Sequence, residues 1–138
     1  MTREEKIEWL EQYQRALNRQ EMLLEEIEWL RDDALRLGGT LNGMPTAQGP
    51  NTDRLPRALE RIEAAQEELA EQIEQCMALR GEIVRTICTL SNTQQRAVLY
   101  RRFVLGQTAD EIADALCVMT RRVFQLQRAG LTEILNDA

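Results

Sequence analysis

The three prolines of this chain, Pro45, Pro50 and Pro56, fall within one short stretch, and everything on either side of it is free to be helical. Gly38, Gly39, Gly43 and Gly49 crowd into the same region, so residues 38–53 read as a connector between two helices. The connector has no GxxxxGK[ST] pattern and no strand before it, which excludes a phosphate-binding loop. Aromatic residues are only 4% of the chain, too few for a broad, aromatic-rich sheet.

Before the connector, Thr2 and Glu5 have the spacing of a capping box. Ile7, Leu10, Tyr13, Leu17, Leu24, Ile27, Leu30, Ala34 and Leu37 then recur at three- and four-residue steps. This predicts an amphipathic helix over about 2–37, widened by Trp9, Met22, Leu23, Trp29 and Leu35 and stopped by Gly38-Gly39. After the connector, Leu59, Ile62, Gln66, Leu69, Ile73, Cys76, Arg80, Ile83, Ile87 and Leu90 keep a 3-4 step, predicting a second long helix over about 54–90. The two form a long antiparallel hairpin over residues 1–90. Two helices alone leave much of so wide a stripe exposed. The expectation is a homodimer whose hairpins make a four-helix bundle, with Leu59, Ile62, Leu69, Ile73, Cys76 and Ile83 as the dimer seam. The alternative is a monomer with the hairpin folded against its own C-terminal part.

Histidine is absent, which removes Ser-His-Asp and Cys-His nucleophiles and histidine metal ligands. Most acids fall on solvated helix faces. The expectation is no enzyme, no catalytic residue, no metal and no cofactor. The cysteines Cys76, Cys88 and Cys117 are odd in number, without CxxC spacing, and read as reduced core residues. No apolar run is long enough to span a bilayer, and MTREEKIEWL lacks a secretory pattern; a soluble cytoplasmic protein without membrane contact is expected. Net charge is −6, but it is unevenly spread. Residues 1–90 hold 11 basic and 18 acidic residues, a net of −7, whereas residues 91–138 hold 6 and 5, a net of +1. Between 119 and 131 stand Arg121, Arg122 and Arg128 and no acid.

Residues 91–138 change character. Ser91 and Gln94 have capping-box spacing and open a short helix that Gly106 breaks. Thr108 and Glu111 form a third capping box and open a helix over Ala109–Leu116. The turn Cys117-Val118-Met119 follows, and a last helix runs from Thr120 toward Asn136. Short helix, tight turn and longer helix make a helix-turn-helix. Ile112, Ala113, Leu116, Val118, Val123 and Leu126 supply its small core, which turns Thr120, Arg121, Gln125 and Arg128 outward. Arginine can bond guanine bidentately and glutamine can do so to adenine.

Leu90, Arg96, Val98-Leu99, Arg102-Phe103, Gly106, Thr108, Glu111-Ile112-Ala113 and Leu116 match a pattern that resembles region 4 of bacterial sigma factors. The whole chain, with Leu41-Asn42-Gly43-Met44-Pro45 and the helix after it, is similar to small phage and prophage proteins grouped with the RinA and ArpU type late-gene activators. Two positions depart from the family pattern. Cys117 stands where the turn usually has glycine, and Met119 stands where a serine-like cap is usual, leaving Thr120 to take that role.

The resulting expectation is an all-α protein, with an oligomerising hairpin at 1–90 and a three-helix, sigma-like domain at 91–138. The resemblance implies a phage-type, sequence-specific transcriptional regulator, in the manner of an activator, that binds double-stranded DNA as a dimer. Thr120, Arg121, Arg122 and Gln125 would meet base edges, and Arg101, Arg102 and Arg128 would hold phosphates. Sigma region 4 also touches RNA polymerase and anti-sigma proteins, so a protein interaction module is one alternative. A DNA-packaging protein akin to a small terminase subunit is the other.

Overall fold

The computed structural model of the protein describes residues 1–43 and 54–136, with side chains described for 1–38 and 54–136. Their regular elements are all helical, with no strand among the described residues. The elements are α1 (Arg3–Gly43), α2 (Arg54–Ile87), α3 (Thr93–Leu99) running on into a π-helical turn (Tyr100–Val104), α4 (Ala109–Leu116) and α5 (Thr120–Glu133). None is long and apolar enough to cross a membrane among the described residues.

The ends of the helices follow local chemistry. The Thr2 hydroxyl accepts from the Glu5 amide at 3.2 Å and the Glu5 carboxylate accepts from the Thr2 amide, closing the expected box. The expected stop at Gly38-Gly39 is not observed, because α1 continues to Gly43. A helical glycine costs only about 1 kcal/mol relative to alanine, and adding residues to a formed helix is far easier than starting one. The remainder of the expected connector, residues 44–53, lies outside the described residues. Pro56 sits in the first turn of α2, where a missing N–H removes no helical bond. Ser91 is not a cap. Asn92 takes that place, its side-chain oxygen accepting from the Gln94 and Gln95 amides at 2.9 and 3.1 Å.

The chain divides into two compact units, Met1–Leu17 with Gln75–Ala138, and Asn18–Glu74. In the second unit, Ile27, Leu30 and Ala34 of α1 pack with Ala58, Ile62 and Ala65 of α2. Gly38 and Leu55 border one groove, while Arg19 pairs with Glu68 at 3.6 Å, so the two helices run in opposite directions here. The buried α2 stripe is Ala58, Ile62, Ala65, half-buried Leu69, Gln72, Cys76, half-buried Leu79 and Ile83. This is a strict heptad, but shifted from the sequence reading at every second position. Leu59 is 50% exposed and Ile73 38%, while their smaller or polar neighbours Ala58 and Gln72 are buried. The same slip occurs on α1, where Leu23 is buried and Leu24 is 43% exposed.

In the first unit, Leu10 and Tyr13 of α1, Ile83 and Ile87 of α2, and Leu99, Phe103 and Leu131 share one core. Of the expected dimer seam, Leu59 and Ile73 are exposed and Leu69 is half-buried. Cys76 and Ile83 are filled by this core and Ile62 by that of the second unit, so all three are covered within the chain. The expectation that all cysteines are core residues is corrected, because Cys88 and Cys117 are exposed.

Polar contacts tie this core to its helices. Gln14 donates from Nε2 to the Val104 carbonyl at 2.8 Å and the Phe103 carbonyl at 3.3 Å, satisfying acceptors at the end of the π turn. Lys6 is buried, and its Nζ donates to the Leu131 carbonyl at 2.8 Å and to Asn136 Oδ1 at 3.0 Å. A cation at the C-terminal carbonyls of α5 also meets the negative end of its dipole. Lys6→Met keeps the side-chain bulk and deletes the donor, so it is expected to lower unfolding free energy by about 1.5–3 kcal/mol. Urea titration of both proteins checks this; equal midpoints would remove Lys6 from the account of how α5 is anchored.

Candidate functional site

The site is built by α4, the turn Cys117–Met119 and α5. The capping box opening α4 is complete, with the Thr108 hydroxyl accepting from the Glu111 amide and the Glu111 carboxylate from the Thr108 amide, both at 3.2 Å. Ile112 and Ala113 of α4 bury against Val123 and Leu126 of α5 and Val98 of α3, with Leu116 and Val118 partly buried around them. All six residues expected to form this small core belong to it. Gly130 lets α5 approach α3 closely, since a Cβ there would lie 3.0 Å from Leu99 Cδ1.

The turn depends on Cys117, which takes the left-handed conformation at φ 56 and ψ 43 although it is not glycine. A left-handed residue with a Cβ costs roughly 1–2 kcal/mol. The backbone geometry is thus what a glycine would provide, with cysteine carrying the strain. Met119 is the N-cap of α5 and makes no side-chain cap bond. Thr120 does not take over that role. Its hydroxyl instead donates to Asp110 Oδ1 at 2.9 Å, linking α5 to α4. Met119→Ser should therefore raise unfolding free energy by about 0.5–2 kcal/mol, seen as a higher urea midpoint. No gain would mean that the first-turn amides are satisfied in another way.

With Val123, Leu126 and Gly130 buried, helical spacing sends Arg121, Gln125, Arg128 and Thr132 along the opposite side, and all four are exposed. Arg121, Arg122 and Gln125 border one shallow groove with Val118 and Met119. No acid occurs between Thr120 and Thr132, so the polar groups of this face are cations, an amide and a hydroxyl. Thr120 is half-buried and committed to Asp110, which sets it apart from the other candidate base-reading residues.

Arg101 and Arg102 lie on the π turn and are half-buried. Arg102 Nη1 donates to the Gln107 carbonyl at 3.4 Å and Arg101 Nη1 to Gln107 Oε1 at 3.5 Å. Arg101 borders a different groove from Arg121, lined by Cys88, Arg96, Tyr100 and Leu105 among others. Arg96, half-buried, is a cation of the matched pattern to which the sequence reading gave no DNA contact. Phe124 was missed as well. It is 48% exposed beside Gln125, and only its place on the helical wheel, one step off the Val123 row, could have revealed it. Among the described residues no cluster of His, Cys, Asp or Glu could hold a metal ion.

Compared with protein-family models, curated proteins and solved structures, the chain finds no match.

Proposed function

We propose that the protein is a sequence-specific DNA-binding regulator of phage type, resembling the sigma region 4-like activators, in which α4 and α5 act as a helix-turn-helix and two copies bind together. The observation that carries this reading is the acid-free outer stripe of α5, Arg121, Gln125, Arg128 and Thr132, standing clear of a fully packed inner stripe. Such a helix suits the major groove, where arginine bonds guanine and glutamine bonds adenine. Arg128, Arg101 and Arg102 supply charge for phosphates, which sets register without reading sequence. Thr120, through its bond to Asp110, positions the start of α5 in this reading. The elements before it, α1 and α2, pair as an antiparallel hairpin, and RNA polymerase is a further partner that the resemblance brings.

Selection of bound duplexes from random oligonucleotides tests this directly, and an enriched two-fold symmetric motif is expected. On that motif, Arg121→Ala and Gln125→Ala should each cost about 1–3 kcal/mol for the preferred base at one position and relax the choice there. Arg102→Ala should weaken all sequences alike. Three uniform losses would remove the base-reading roles and leave only phosphate contact.

A further inference from the structure

With Ile62, Cys76 and Ile83 covered within the chain, a second copy needs another surface. We propose that it is the flank of the second unit carrying Leu24 and Leu35 of α1 and Leu59 and Ile73 of α2. This inference rests on the two-copy part of the proposed function and not on its DNA part.

The heptad places these residues on one side. Arg31, Leu35 and Gly38 of α1 border the same groove as Leu55 and Leu59 of α2. Leu24 precedes Arg31 by one heptad, and Ile73 follows Leu59 by two, so both continue that side. All four apolar side chains are 38–74% exposed. The strip extends for roughly 20 Å along α2 at 1.5 Å per residue, the footprint of a helix rather than of a small molecule.

Charge selects the occupant. The positions flanking the core on this side are Leu24, Arg31, Gly38, Leu59, Gln66 and Ile73, with one charge among them. The equivalent positions on the other flank are Arg19, Glu26, Asp33, Arg61 and Glu68, every one charged, with the Arg19–Glu68 pair across them. The exposed Trp29 offers no second surface, because Glu25, Glu26, Asp32 and Asp33 surround it at three- and four-residue steps. Strip against charged flank would bury five charges besides Arg31. Strip against strip, related by a two-fold axis, buries apolar residues on both sides and leaves Arg31 as the one charge of each strip, with the exposed acids Glu28, one turn before Arg31, and Glu63, one turn after Leu59, at its rim.

Analytical ultracentrifugation of the full chain is the test. The wild type is expected at twice its 15.9 kDa mass. Leu59→Glu/Ile73→Glu should raise the dimer dissociation constant by at least roughly 100-fold while far-UV circular dichroism stays helical. Trp29→Glu, on the other flank, should leave it unchanged. Arg31→Glu alters no buried residue and should weaken association about tenfold. A wild type that is monomeric at every concentration overturns the two-copy reading itself. A dimeric wild type with a folded, equally dimeric double variant, or with an unaffected Arg31→Glu, overturns this surface alone.

Discussion

Raising salt from 50 to 200 mM is expected to weaken binding to duplex DNA by roughly 10³–10⁵-fold, if the two copies together neutralise about six to ten phosphates. The size of the effect follows from counterion release, which scales with the number of phosphates met by cations. Each copy brings Arg121, Arg122 and Arg128 on α5, all exposed, and Arg101 and Arg102 on the π turn. The latter two are half-buried and share Gln107, so their contribution depends on exchanging those long hydrogen bonds for phosphate oxygens. The slope of log affinity against log salt therefore counts the arginines engaged. Arg102→Ala should lower the slope by about one per copy. A protein with net charge −6 and no local cationic face would show a flat response, and a flat response is the outcome that sinks the DNA reading.

The second large effect separates two isoleucines one heptad and a half apart on α2. Ile83→Asp places a carboxylate at a position with 0% exposure among Leu10, Tyr13, Ile87 and Leu99. Against those apolar neighbours the loss should exceed about 4 kcal/mol, a large part of the 5–15 kcal/mol that holds an ordinary domain together. Ile73→Asp, at a position 38% exposed, should cost the separated chain well under about 1 kcal/mol. Circular dichroism through a urea series, at a protein concentration low enough to keep copies apart, distinguishes them. Equal losses would contradict the division of α2 into covered and open positions.

What the sequence made legible depends on how loudly each residue speaks. The bounds of α4, Ala109–Leu116, were readable to the residue because Thr108 and Glu111 announce its start and the turn its end. The inward set of α4 and α5 was readable for a related reason, since its members, Ala113 apart, are large and apolar while most of the residues between them are polar or charged. The α2 seam slipped by one residue because Leu59 and Ile73 look more like core than Ala58 and Gln72. Close helix approach favours the small side chain, and periodicity alone cannot express that preference. The end of α1 was misplaced because a glycine pair weakens a helix without forbidding it. Lys6 could not be found at all, since buried lysines are rare and its partner is a backbone carbonyl at the far end of the chain. Thr120 was assigned a cap role because it follows Met119, where the family pattern has a serine-like cap, whereas its partner Asp110 lies on another helix.

The same Lys6 contact has a consequence for how the chain is made. The unit that holds α4 and α5 takes its first strip of core from Met1–Leu17 and the rest from Gln75 onward, with Asn18–Glu74 in between. During synthesis, which delivers the N-terminus first, Leu10 and Tyr13 emerge early and must wait for Leu99, Phe103 and Leu131. Contacts this distant in sequence are slow to close. The intervening stretch needs only its own neighbours, so it can pair while the ribosome is still working. A nascent chain stalled before α5 would carry a finished middle and two unfinished ends, with its apolar strip already on display. The arrival of α5, and not that of any earlier helix, is then the event that completes the α4–α5 face.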